Sequence, residues 1–153
     1  MVQEYRVRVF EDQTEWLNLE GQRHRIDGPA VECSDGRKEW WVNDQLHRED
    51  GPAVEYRDGS EEWWVNGDKH RIDGPAVEWS DGHKEWWVNG LLHRLDGPAI
   101  IWSNGNKFWV VNGKNHREDG PAIEWIDGTK FWFINDQEFT EDEFNQKLNL
   151  SKN

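Results

Sequence analysis

HRIDGPAVEWSDGHKEWWVNGLL, residues 70–92, decides the fold, because the chain is built from copies of it. Copies begin at His24, His47, His70, His93 and His116, a period of 23 residues with no insertion or deletion. A unit of this length is a supersecondary element that cannot bury its apolar face alone, so neighbouring copies must stack on it in register.

Inside the unit, Asp81-Gly82 separates two strand-like runs, and Asp35-Gly36, Asp58-Gly59, Asn104-Gly105 and Asp127-Gly128 do the same in the other copies. Asp-Gly between alternating apolar residues is a strong hairpin signal. If the pair forms a two-residue type I′ turn, Val77 lies opposite Trp86 and Trp79 opposite Lys84. Val77, Trp79, Trp86 and Val88 then share one face with Val54, Tyr56, Trp63 and Val65 of one neighbour and Ile100, Trp102, Trp109 and Val111 of the other. A slip of one residue would exchange the faces. The second face carries Ala76, Glu78, Glu85, Trp87 and Asn89, and this register sets Glu32 against Glu39, Glu55 against Glu62 and Glu78 against Glu85. Like charges in cross-strand pairs are destabilising, so something must offset them. In the fourth copy both positions turn apolar, as Ile101 and Phe108, and in the fifth they are Glu124 and Phe131.

A second turn follows each Trp-rich strand. Asn43, Asn66, Asn89, Asn112 and Asn135 recur in every copy while the next residue is Gly or Asp, as expected where asparagine takes demanding backbone angles. Each proline, from Pro29 to Pro121, falls at a strand's first residue, where a missing amide donor costs least.

The ends read as caps on a single repeat domain spanning 1–153. Residues 1–23 are a degenerate copy, with Tyr5 to Phe10 alternating as a strand, Gln13 replacing the turn glycine, and Leu17 and Leu19 at the Trp and Val positions. Residues 24–138 hold the five copies. In 139–153, Thr140 and Glu143 make a capping box and Phe139 and Phe144 have staple spacing, which predicts a helix over 141–149 folding Phe144 and Leu148 across the last strand. The expected architecture is all-β: about eleven or twelve strands, stacked hairpins in one elongated twisted antiparallel sheet, closed by a short C-terminal helix.

Composition narrows the function. Hydrophobic residues are 35% of the chain, yet twelve are Trp, so the core is few residues but large ones. The single cysteine, Cys33, stands where other copies have Tyr56, Trp79, Trp102 and Trp125, and no disulfide can form within the chain. With no apolar run of signal or membrane length, the expected location is the cytoplasm. Asp and Glu total 31 against 18 Lys and Arg, a formal charge of −13. Direct binding of nucleic acid or an anionic membrane is disfavoured, and a protein with a basic surface is the better electrostatic match.

The HRxD element contains residue types that catalyse or bind metal. Each copy offers one His and one nearby Asp without the paired ligand spacing of a zinc site, and no nucleophile-base pair or phosphate loop stands apart from the pattern. An active site needs one special copy, so repetition points to stacking: Arg71 forking to a carboxylate, the imidazole satisfying a turn carbonyl. No cofactor, metal or enzymatic activity is expected, and His83, outside the ladder, reads as solvated. The candidate contact surface is the acidic and aromatic second face: Glu32, Glu39, Trp41, Glu55, Glu62, Trp64, Glu78, Glu85 and Trp87. Its tryptophans give way to Val110 and Phe133 in the last two copies. Exposed Trp clusters are typical interface anchors, although the same rings also serve to cover a sheet.

The period, the strand ending in Trp86-x-Val88-Asn89-Gly90 form and the strand closing on Asp-Gly resemble MORN repeats, and HRxDGPA resembles a variant of them in bacterial and bacteriophage proteins. In place of the family's G-x-G after the histidine, this chain has HR-x-DGPA. The resemblance spans residues 24–139. It implies a hairpin per repeat in an elongated sheet that serves as a scaffold or dimerisation module; the family's association with phospholipid is not matched by basic positions here. Together these readings predict a non-enzymatic protein-binding module, of the kind a phage inhibitor would use against a basic surface of a host defence or nucleic-acid-handling protein. The alternative is a structural scaffold or homo-oligomer.

Overall fold

The structure is a computed structural model that describes residues 4–150, so the outermost three residues of each expected cap lie outside the description. Each of the first four repeats places two short strands in a main sheet and two more in a side hairpin, whereas in the fifth one strand, Lys130–Ile134, runs through both. In the repeat quoted above these are Val77–Glu78 and Lys84–Glu85, then Trp87–Val88 and Leu91–Leu92. The main sheet has thirteen strands, neighbours in space following one another along the chain, and its pairings among the described residues are antiparallel. Stacked hairpins in one long antiparallel sheet are therefore the architecture, but the described residues hold 21 strands where about eleven or twelve are expected, because the side hairpins add strands of their own. The side hairpins are themselves joined from repeat to repeat: the Arg71 amide donates to the Trp87 carbonyl at 3.0 Å, and the Gly90 amide to the Lys69 carbonyl at 3.0 Å. Equivalent bonds recur along the chain, so a second ladder runs beside the sheet. The core is narrow. Ala30, Ala53, Ala76, Ala99 and Ala122 are fully buried, with Leu17, Val31, Val54, Val77 and Val110; Ala76 therefore belongs to the interior and not to the acidic face where the predicted register put it.

The predicted turn is corrected. Val77 pairs with Glu85 and Glu78 with Lys84. The Trp79 amide donates to the His83 carbonyl, leaving the three-residue loop Ser80-Asp81-Gly82 with Gly82 at φ 93°. That is a type I turn followed by a left-handed bulge residue. Asp81 does not take positive φ; its carboxylate instead accepts the His83 amide at 2.9 Å, as Asp35, Asp58, Asn104 and Asp127 accept their own i+2 amides. The type I′ turn is the other one: Val88 pairs with Leu91 across Asn89 (φ 49°) and Gly90 (φ 73°). Where the glycine is absent, Asp44 and Asp136 hold φ of 60° and 63°, and their carboxylates accept the Arg23 and Asn115 amides of the preceding unit.

The one-residue difference exchanges faces on the second strand of every hairpin. Glu85 now lies beside Val77, and Trp86 goes to the opposite side. The expected glutamate pairs do not form: Glu32 faces Lys38, Glu55 faces Glu61 and Glu78 faces Lys84. Prolines sit just ahead of the strands, Pro75 two residues before Val77, where the carbonyl is used as an acceptor.

Both ends close as caps. Arg6–Val9 and Gln13–Leu17 form a hairpin, but its loop is Glu11-Asp12, and Gln13 pairs with Cys33 rather than turning. Without a bulge glycine this turn is one residue shorter, and the second turn, Leu19-Glu20-Gly21, is one residue longer. The frame between the two turns shifts accordingly, so Glu15 pairs with Val31 as Glu39 pairs with Val54, and Trp16, not Leu17, takes the place of Trp40. At the other end the helix Glu141–Leu150 begins with the expected capping box: the Thr140 amide donates to Glu143 at 2.8 Å and the Glu143 amide to the Thr140 hydroxyl at 3.3 Å. Those bonds hold the Glu143 carboxyl below its ordinary range. Phe144 is fully buried, and the helix packs on Lys130–Ile134 and Gln137–Phe139.

Candidate functional site

The HRxDG loops are built around arginine. Arg71 donates through Nε to Asp73 at 3.1 Å and through Nη1 to the Pro75 carbonyl at 3.2 Å and Glu78 at 3.3 Å. Its guanidinium lies 3.9 Å from the centroid of the Trp63 ring. A Cβ on Gly74 would lie 3.0 Å from its Cζ, so a side chain there would press the guanidinium out of its place. Arg25, Arg48, Arg94 and Arg117 repeat the arrangement over Trp16, Trp40, Trp86 and Trp109 at 4.4, 4.1, 4.0 and 4.0 Å. A planar cation with fixed donors can do this; lysine cannot. The histidine works within a repeat, since the Asn89 amide donates to His70 Nδ1 at 3.1 Å and four other asparagines do likewise. Arginine thus pins each loop to a tryptophan of the preceding copy, and histidine ties the start of each copy to its own second turn.

The candidate residues divide between two faces. Glu39, Glu62 and Glu85 each accept the indole N–H of Trp41, Trp64 and Trp87, at 2.8, 2.8 and 2.7 Å. A second donor holds the other oxygen: Arg37 for Glu39, the Tyr56 hydroxyl for Glu62, and His83 for Glu85. His83 is therefore half-buried and engaged, not solvated. Burial and the neighbouring Glu62 carboxylate push the Tyr56 hydroxyl up to about 12. In the fourth repeat, glutamate and indole disappear together, becoming Phe108 and Val110; in the fifth they become Phe131 and Phe133. Phe108 then packs with Trp102 and Trp125 at centroid distances of 5.2 and 5.7 Å. This i, i+2 co-variation is visible in the sequence, but the expected register instead couples Phe108 with Ile101 across strands.

Glu32, Glu55 and Glu78 lie on the arginine side, reached by Arg25 at 3.6 Å, Arg48 at 2.8 Å and Arg71 at 3.3 Å. The nine residues therefore do not make one continuous acidic face, and six of them are bonded to each other in pairs. A different row is open to solvent. The side chains of Asp27, Asp50, Asp73, Asp96 and Asp119 are between 67% and 87% exposed. Beside them stand Ile26, Glu49, Ile72, Leu95 and Glu118, with Ile72 83% and Leu95 79% exposed. Clefts open between successive loops, one of them lined by Ile72, Asp73, Trp86, Val88, His93 and Leu95. Reading HRxD only as a stacking element missed this row. The available signal was the x position, which varies between copies and so is not dictated by stacking. Donation from Arg25 and Arg94 holds the carboxyls of Asp27 and Asp96 below the ordinary range, so they carry charge at neutral pH.

Among the described residues no three His, Cys, Asp or Glu side chains converge as metal ligands, and no helix is long and apolar enough to cross a membrane. No model of a known protein family matches the chain, and no curated protein matches it either.

Proposed function

We propose that this chain is a non-enzymatic protein-binding module of MORN-like repeats that presents acidic surface to a basic partner in the cytoplasm. A phage-type inhibitor aimed at a host defence or nucleic-acid-handling protein is the most specific form of that reading. The observation that carries it is the uninterrupted row of exposed aspartates, one per HRxD loop, on loops pinned by arginine, tryptophan and histidine. A rigid array of like charges loses little conformational entropy on binding. Among the expected contact residues, Glu32, Glu55 and Glu78 stand against the loop arginines and contribute to the field of this row, while Glu39, Glu62 and Glu85 are bonded to Trp41, Trp64 and Trp87. Affinity capture from host lysate at low and high salt tests the reading. One basic protein retained at low salt, released at high salt and lost with an Asp50→Asn, Asp73→Asn, Asp96→Asn variant supports it; retention by that variant refutes it.

The scaffold reading is favoured by a separate observation. Arg6–Val9 ends the main sheet, exposed along its length, with Val7, Val9 and Phe10 open to solvent. Such an edge offers backbone groups for self-association, although its two arginines oppose pairing with a second copy. Sedimentation of the wild type against a Val7→Pro variant separates the two: a defined oligomer lost in the variant supports the scaffold.

A further inference from the structure

We infer that the row of HRxD grooves receives an extended segment of a protein partner carrying Lys or Arg at every third residue, laid along the stack with one basic side chain per loop. This rests on the acidic-module reading and names the partner's chemistry. The spacing comes from the backbone. In the side ladder, the strand leading into Arg71 and the one leading into Arg94 are separated by a single strand: the Arg71 amide bonds the Trp87 carbonyl, and the His93 amide bonds the Trp86 carbonyl. Two strand widths at about 4.8 Å each place successive loops about 9.6 Å apart. A polyproline II segment advances about 3.1 Å per residue with three residues per turn, so every third side chain points the same way at intervals of about 9.3 Å. A flat β-strand has a similar advance, but its third residue points away. The polyproline conformation is thus the one whose period and facing both fit.

The groove chemistry agrees. Arg71 occupies one oxygen of Asp73 through its Nε, and the carboxylate, 86% exposed, keeps acceptor capacity toward solvent. Glu49 and Glu118 add charge at the second and fifth loops, and Ile72 and Leu95 offer apolar contact to the residues between the basic ones. The tryptophan faces beneath are already covered by arginine, so recognition takes place at the rim of the loops rather than on an aromatic floor.

The test uses the full chain and synthetic peptides with one Lys-Pro-Ala unit per loop. Two controls have the same composition, one with its lysines in a single block and one with lysine at every second position until they run out. Binding is followed by calorimetry or fluorescence anisotropy at low salt. An exposed ion pair in register multiplies affinity by roughly two- to fivefold, so the period-three peptide is expected to bind at least about tenfold tighter than either control. The Asp50→Asn, Asp73→Asn, Asp96→Asn variant retains an acceptor for each arginine, melts as the wild type does, and loses about tenfold for that peptide alone. Equal binding of all three peptides overturns the spacing inference and leaves the acidic module standing. Absence of peptide binding, with a basic protein still captured at low salt, overturns it too. If neither peptide nor protein is held, both readings fall together.

Discussion

The pairing of Glu62 with Trp64 can be tested by converting the second repeat to the chemistry of the fourth, with Glu62→Phe and Trp64→Val made singly and together. Glu62 is buried, and its two oxygens accept the Trp64 indole at 2.8 Å and the Tyr56 hydroxyl at 3.0 Å. Removing the indole leaves a buried carboxylate short of one charge-assisted bond, worth about 1.5–3 kcal/mol, in addition to lost ring contact. Removing the glutamate leaves the indole N–H and the phenol without their acceptor, about 1–3 kcal/mol. The double variant suffers neither loss for the indole pair, because Phe beside Val is the arrangement that Phe108 and Val110 already adopt. The two single changes should therefore sum to more than the double, by about 1.5–3 kcal/mol. Urea unfolding followed by circular dichroism gives the four midpoints, and an unchanged slope licenses their comparison. Additivity within about 0.5 kcal/mol would refute a coupled pair.

Other consequences are measured more directly. Gly74→Ala puts a methyl 3.0 Å from Arg71 Cζ and lifts the guanidinium from Trp63; a loss of about 1–2 kcal/mol is expected in thermal melts, and a variant as stable as wild type contradicts the stacked loop. The Tyr56 hydroxyl, pushed up to about 12 from 10.0, binds its proton more tightly when folded. Its contribution is complete below the unfolded value and is lost as pH rises through the folded one; an ultraviolet titration of wild type minus Tyr56→Phe should show a phenol that ionises late, and an ordinary midpoint rejects it. Phe144→Ala removes the only fully buried side chain of the helix. The expected cost is about 3–5 kcal/mol, with hydrogen exchange accelerating first across residues 130–139; uniform acceleration along the chain would mean that the helix does not act as a local cap.

The repeat, both hairpins of each unit, the left-handed asparagines and the capping box at Thr140 were legible because each is written in local residue types. The register was not. Asp-Gly suits both a two-residue turn and a three-residue loop with a bulge glycine, and only the backbone distinguishes Asp81 accepting an amide from Asp81 at positive φ. That ambiguity of one residue carried Glu39, Glu62 and Glu85 to the wrong partners and hid their tie to Trp41, Trp64 and Trp87. The same limit applied at the N-terminus, where losing one loop residue moved Trp16 into the place assigned to Leu17. The exposed aspartates were visible in sequence, but their exposure depends on arginine being drawn onto tryptophan, a contact that no spacing within HRxD encodes.

Every pairing in the thirteen-stranded sheet joins strands of one unit or of successive units, and the ties between units are nearly as local, Asn115 reaching Asp136 across 21 residues. Sheets normally assemble slowly because their strands must find distant partners. Here each new unit needs only its predecessor, so a folded stretch can start in any central repeat and extend outward like a closing zipper. The barrier should then depend on making the first two units and hardly at all on how many follow. An all-β chain of this kind is expected to fold with the speed of a helical bundle, and adding repeats should raise its stability while leaving its folding rate nearly unchanged.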